Sequence, residues 1–215
     1  MHAVYRIVLL VLLAPAVHAG ALAAEDAPKP DTASVKGKFL VARPTLPDPY
    51  FAHTVILMLK HDATGAFGLV VNRPAGIAEV TPDAPATSDE TGKTATEDAP
   101  AREPLRFPAS LGGPVGRERI FVIHSEDYAA ADTIRIAPHV SVTANVQILQ
   151  DIADGKGPKR SLYVAGYSGW GAGQLEAEMA RKSWYEAPVD PDLIFSGEDT
   201  DAVWEQALTL RLRKI

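Results

Sequence analysis

Two groups of residues in this chain have types and spacing that can do chemistry. The first is Ser168 with His124. Ser168 stands between a short apolar run, SLYVA from Ser161, and a stretch of helix formers from Gln174, which is where a hydrolase elbow places its nucleophile. The elbow pattern is G-x-S-x-G. The chain reads Gly166-Tyr-Ser168-Gly-Trp170, with Trp in place of the second Gly. The plainer reading is a small residue fitting a tight turn.

The second group is Arg43 with Asn72 and Arg73. Each arginine follows a predicted apolar strand and precedes a proline, Pro44 or Pro74. A guanidinium carries five donors and can clamp a carboxylate or phosphate, or pin a loop. Residues 166–176 read GYSGWGAGQLE, a strand, a tight glycine turn and a helix start. Gly169, Gly171 and Gly173 let the backbone approach closely, and a helix N-terminus offers free N–H groups to an anion. If the strands before Arg43 and Arg73 are neighbours, these residues form a cationic notch. The alternative is that Asp48 or Glu176 neutralises the arginines internally. Metal chemistry has little support. His53, His61, His124 and His139 form no short ligand motif, although His61 and Asp62 can meet His124 in space. No cofactor motif is present.

The elements that must position these groups can be read in order. Residues 38–42 and 54–59 are strands, the second nearly all apolar and so central. Residues 67–71 form a third, hairpinned to it through Thr64-Gly65. Further strands are predicted at 119–124, 133–136 and 161–165. Residues 141–154 carry a helical spacing, with Val142, Val146, Leu149 and Ile152 on one face and Gly155 as the stop. Residues 174–182 form a helix with Leu175 and Met179 inward. Residues 183–185 and 192–195 are short extended pieces. Residues 199–214 form a closing helix with Val203, Ala207 and Leu210 inward and acids at its positive end. Trp170, Trp184 and Trp204 are expected as core or interface anchors. Strands and helices mix without a βαβ rhythm, so the expectation is an α/β domain with a mixed sheet.

Several stretches carry a family likeness. They are GKFLVARPTLPDPYFAHTVILML from Gly37, GAFGLVVNRP from Gly65, GGPV from Gly112, FVIHS from Phe121, GYSGWGAGQLEAE from Gly166 and LIFSGEDTDAVWEQAL from Leu193. In this combination the chain resembles the YqgE/AlgH family of bacterial proteins, a family without an assigned biochemical activity. The resemblance spans residues 37–215. It implies a single α/β domain with a mixed, partly barrel-like β-sheet flanked by helices. One member carries the label of a regulator of gene expression. The chain departs from the family's pattern in three places. Members are mostly cytoplasmic, whereas this chain begins with an export pattern. The connection after Asn72-Arg73-Pro74 usually bears a helix, and here it is polar. Ser168 stands where Ala is common, which argues against a required nucleophile.

Outside that domain the composition changes. Residues 1–23 show the secretory pattern of one Arg, an apolar run at 7–13 and small residues at 17–23. The run falls short of the roughly 20 residues of a membrane span, so a periplasmic protein without a transmembrane anchor is expected. Residues 24–36 read as a flexible leader. Residues 77–103 hold Pro, Thr, Ala and acids with almost no large apolar group, and are expected to be a disordered acidic insertion. The absence of Cys excludes disulfides and thiol nucleophiles. A net charge of −6 argues against direct nucleic-acid binding, which selects basic surfaces.

Three functions remain open from the sequence. The first is an exported binding or accessory protein whose notch of Arg43, Asn72, Arg73, Gly169, Gly171 and Gly173 takes a small anion. The second is a hydrolase using Ser168 or a carboxylate with His124. The third is a scaffold that recruits a protein partner through the acidic insertion.

Overall fold

The computed structural model describes residues 33–80 and 104–212. The fold is organised around one long strand, β9 (Ser161–Gly171). Its first half pairs in parallel with β5 (Leu105–Leu111), through Ala109↔Tyr163 to Leu111↔Ala165, and on its other side antiparallel with β6 (Val115–His124). Its second half pairs with β3 (Gly65–Val70), through Gly68↔Ser168 to Gly65↔Gly171. From β3 the sheet continues through β2 (Val55–Asp62) and β1 (Lys38–Ala42) to β10 (Trp184–Pro188). From β6 it continues through β8 (Val140–Thr143) to β7 (Ile134–Ala137). β4 (Pro74–Val80) pairs with β5 alone. All pairs but β5–β9 are antiparallel, and the sheet curls into a half-barrel within one α/β domain.

The change of partner along β9 has a local cause. Gly166 has φ +73, and a Cβ there would lie 2.9 Å from the Val115 carbonyl oxygen and 3.0 Å from that of Gly113. Facing it, a Cβ on Gly112 would lie 2.4 Å from the Gly166 carbonyl oxygen. Only glycine permits this backbone conformation at low cost and this approach at all. The junction is stitched by Gly112 N–H to the Ala165 oxygen at 2.9 Å and Val70 N–H to the Gly112 oxygen at 3.0 Å.

Strands β1 to β3 are buried on both faces, which is why their sequences are nearly continuous apolar runs. Phe39, Val41, Val55, Leu57 and Leu69 enter one core with Val164, Ala187, Leu193 and the last helix. Their neighbours Leu40, Ala42, Ile56, Met58 and Val70 enter a second core with Trp170, Trp184 and Leu175 of α2 (Gln174–Ala180). A third cluster holds Phe107, Val122 and Tyr163 under α1 (Gln147–Ala153), through Ile148 and Leu149. The closing helix α4 (Thr200–Leu210) is capped by Asp199, whose side chain accepts from Ala202 N–H. It buries Val203, Trp204, Ala207 and Leu210, and Trp204 Nε1 donates to the Ala42 carbonyl at 2.7 Å. No described helix is long and apolar enough to cross a membrane.

The structure corrects six local expectations. The glycines after Ala165 do not make a turn, because β9 runs on to Gly171 and only residues 172–173 turn. Residues 140–143 are a strand, not the start of a helix; β6 and β7 pair on its two sides. Val146, placed on the helix's apolar face by spacing, is 65% exposed. Residues 192–195 belong to a short helix, α3 (Pro191–Ile194), started by the Asp190 cap and a proline in its first turn. Residues 77–80 belong to β4 and not to the insertion, with Ile77 to Val80 paired to Pro108 to Leu105. The remainder of that segment, 81–103, and residues 1–32 lie outside the described residues. Finally, the leader's last residues are ordered onto the domain. Val35 is fully buried and its N–H donates to His61 Nδ1 at 3.1 Å.

Candidate functional site

Asn72 and Arg73 follow β3 and face the connection between β1 and β2. Asn72 is buried. Its Oδ1 accepts from Val55 N–H at 2.8 Å, and its Nδ2 donates to the carbonyls of His53 at 2.8 Å and Thr200 at 2.9 Å. Arg73 donates to the carbonyl of Tyr50 and, at 3.3 Å, to that of Ala52. Both side chains therefore pin one loop. Within it, His53 is held at φ +57 with its ring stacked 4.1 Å from Trp204. Neither acid expected to neutralise the arginines does so. Asp48 caps its own turn, accepting from Tyr50 N–H at 2.7 Å, and Glu176 reaches His61 Nε2 at 3.3 Å.

The expected notch is not assembled as one site. β1 and β3 both run antiparallel to β2, so Arg43 and Arg73 leave the sheet at the same end. Gly171 pairs with Gly65, at the opposite end of β3, roughly 20 Å away at the usual strand rise. Gly171 N–H donates to Gln174 Oε1 at 3.1 Å, and Gly173 forms the N-cap of the seven-residue α2. The Gly171 to Gly173 backbone is therefore too far from Arg73 to share a small ligand with it.

Arg43 has different company. Its guanidinium lies 4.2 Å over the Tyr185 ring, and that of Arg211 lies 4.0 Å from the same ring. Arg43 Nη1 also donates to the Lys182 carbonyl at 3.3 Å. Among the described residues neither arginine has an acidic partner. The guanidiniums of Arg211, then Arg43, hold the Tyr185 phenol below its ordinary range. Tyr185 and Arg211 were not among the residues singled out by sequence. The signal was the β1–β10 pairing, which sets Tyr185 opposite Val41, and no local pattern announces it.

Ser168 and His124 do not meet. Ser168 is fully buried and its Oγ donates to the Gly112 carbonyl at 3.0 Å. His124 pairs in register with Ser161, seven residues earlier on β9, so roughly 20 Å separates the two. His124 is itself fully buried, with Nδ1 2.9 Å from the Ser125 oxygen. The elbow reading fails on this geometry: the serine is a strut of the glycine junction. His61 lies on β2 and His124 on β6, with β3 and β9 between them. Among the described residues no three His, Asp or Glu side chains converge to hold a metal.

A further cluster covers the outside of the second core. Trp170 and Trp184 Nε1 both donate to Glu178 Oε2, at 3.0 and 2.8 Å, and Gln174 Nε2 donates to Oε1 at 3.2 Å. Phe51 lies against both indoles, with centroids 6.3 and 5.8 Å away.

Comparison with known proteins agrees with this architecture. A UPF0301 protein of Methylococcus capsulatus is 42% identical over 177 residues, covering 82% of this chain and 91% of its own. One from Ruegeria pomeroyi is 42% identical over 175 residues, covering 81% and 90%. The solution structure of the AlgH protein from Pseudomonas aeruginosa superposes with a TM-score of 0.62 at 31% identity, over 87% of this chain and 93% of that one. A crystal structure of protein DIP2367 from Corynebacterium diphtheriae shares the fold, with a TM-score of 0.60 at 20% identity over 84% and 87% of the two chains. The family described as AlgH-like matches residues 39–213, from within β1 to beyond the end of α4, and the chain belongs to that family.

Proposed function

We propose that this chain is an exported binding protein, and that it holds an anionic group between Arg43 and Arg211 beside Tyr185. One observation carries the reading: two guanidiniums share one tyrosine ring, and neither has an acidic partner among the described residues. Like charges held this close repel, and an anion between them removes the repulsion while accepting from both forks. The packing of Arg43 on Tyr185 and its bond to the Lys182 carbonyl fix its orientation in advance of any ligand. Arg73, by contrast, is occupied with two carbonyls and serves the loop. The secretory pattern of residues 1–23 supports a periplasmic location, and in that compartment the protein does not contact DNA.

The test is a thermal unfolding titration with inorganic phosphate, pyrophosphate and citrate at constant ionic strength. A ligand at about 100 times its dissociation constant adds about 2.7 kcal/mol if it binds only the folded state. The upward shift in midpoint should vanish in Arg211→Gln and in Arg43→Gln. A shift that survives both substitutions, or no shift with any of the three anions, would refute the reading. Recovery of the protein from the periplasm with its N-terminus between Ala19 and Glu25 tests the location; recovery from the cytoplasm with residues 1–23 attached refutes it.

A further inference from the structure

The cluster around Glu178 has a feature that structural packing does not require. Its carboxylate accepts three hydrogen bonds, and all three donors are neutral: the indoles of Trp170 and Trp184 and the amide of Gln174. These bonds fix the carboxylate without compensating its charge. Among the described residues no Lys, Arg or His lies within ion-pair distance of Glu178. A carboxylate has about four lone-pair sites, so one direction stays open.

That carboxylate belongs to a solvent-open cleft of about 460 Å³. Trp170, Trp184, Phe51 and Leu46 are among its lining residues, and Asp48 adds a second acid. Arg181 is its one basic lining residue, against two acids. The three aromatic rings lie 5.8 to 6.3 Å from one another, near-parallel or edge-on. Electron-rich ring faces attract cations, and the attraction grows where the cation is weakly hydrated. A bare ammonium is strongly hydrated and gives up water at high cost; a methylated one carries its charge under an apolar surface that suits the rings.

We infer that the cleft bounded by Phe51, Trp170, Trp184 and Glu178 binds a methylated ammonium group, with Glu178 supplying the countercharge. It is independent of the Arg43–Arg211 site. Tyr185, which carries that site, alternates with Trp184 on β10 and packs against the opposite core.

The rings of the cleft provide the readout. Two of the three tryptophans line it, and the third, Trp204, lies in the other core. Titration of the whole protein with tetramethylammonium and with choline should change tryptophan emission saturably, whereas sodium at the same ionic strength should not. Glu178→Gln keeps an acceptor for the indole N–H groups and removes the charge, so binding should weaken about tenfold or more, the equivalent of about 1.4 kcal/mol. Phe51→Leu keeps apolar bulk and removes the ring, and should weaken binding severalfold. It also decides the matter if Glu178→Gln lowers the unfolding midpoint. Spermidine, which offers primary and secondary ammonium groups, should bind more weakly than choline. Sedimentation with phosphatidylcholine vesicles separates a lipid headgroup from free choline as the source of the group. Absence of a saturable change in the native protein, an equal response to sodium, or unchanged binding in both variants would overturn the inference.

Discussion

Gly166 and Gly173 form a matched pair that tests whether the crossing of strands at β9 holds the fold together. Both have φ +73, so alanine at either position meets the same left-handed strain of about 1–2 kcal/mol. Part of that is offset, by about 0.4–1 kcal/mol, because alanine also restricts the unfolded chain. At Gly173 a Cβ finds nothing within 4 Å, and the net loss should be about 1 kcal/mol or less. At Gly166 the Cβ falls 2.9 and 3.0 Å from two backbone carbonyl oxygens, of Val115 and Gly113. Backbone held in a ladder cannot yield as a flexible side chain does, and overpacking of this kind costs a further 1–3 kcal/mol or so. The expected loss for Gly166→Ala is therefore about 2–4 kcal/mol. The assay is equilibrium urea unfolding of both variants, with thermal midpoints as a check. At about 2–4 °C per kcal/mol for a chain of this size, Gly166→Ala should melt roughly 5–15 °C lower and Gly173→Ala by only a few degrees. Gly155 and Gly197, with φ +72 and +70 and open space around them, should behave as Gly173 does. Equal losses at Gly166 and Gly173 would refute the close-approach argument.

Ser168→Ala should cost about 1 kcal/mol in urea unfolding, because the Gly112 carbonyl keeps its bond from Val70 N–H. A loss above about 3 kcal/mol, or a hydrolysis rate abolished by the substitution, would contradict the strut assignment. Tyr128→Phe should raise the Asp151 carboxyl pKa, read by carbon NMR, because the Tyr128 hydroxyl at 2.6 Å is the first cause holding it below its ordinary range, ahead of Gln147. The sign follows from the direction: a depressed carboxyl stabilises the fold above its unfolded pKa of about 4 and loses that contribution as pH falls through the folded value. Tyr128 itself is pushed up to about 12, by burial first and then by Asp151. Its contribution is present below about pH 10 and lost as pH rises towards 12, so the variant should lack that alkaline decline. An unmoved Asp151 titration would show that the hydrogen bond does not set it.

What the sequence disclosed was mostly local. The β2–β3 hairpin and the α4 face were legible because each is written in its own residues, as an apolar run with a turn or as a 3.6-residue spacing with an acidic cap. Residues 141–154 misled because Val142, Val146 and Leu149 satisfy a helical period, while Val140 and Val142 equally satisfy a strand with both neighbours supplied from elsewhere. The strand at 77–80 was hidden by averaging four residues into a long polar segment. Glycines 166 to 171 read as a turn because glycine marks both turns and close backbone approach, and only the partner distinguishes them. The site residues divide the same way. Asn72 and Arg73 stood out by type, but their acceptors are mainly carbonyls of residues 50–53, which no side chain signals. Arg43 acquires its significance from Tyr185 and Arg211, which the chain reaches only after most of the domain has been built.

The position of β9 in the chain governs when the protein can close. Strand β3 has its second neighbour a hundred residues downstream, where Gly68 meets Ser168, and β1 waits longer still for β10. A nascent chain that has reached residue 160 therefore holds the β1–β3 meander with one bare edge on each side, and no partner yet made can cover the edge of β3. At a synthesis rate of about 5–20 residues per second, that edge stays open for roughly 5–20 s. Contacts this distant are made late, and the interval is long enough for a chaperone to take hold of the unpaired strand.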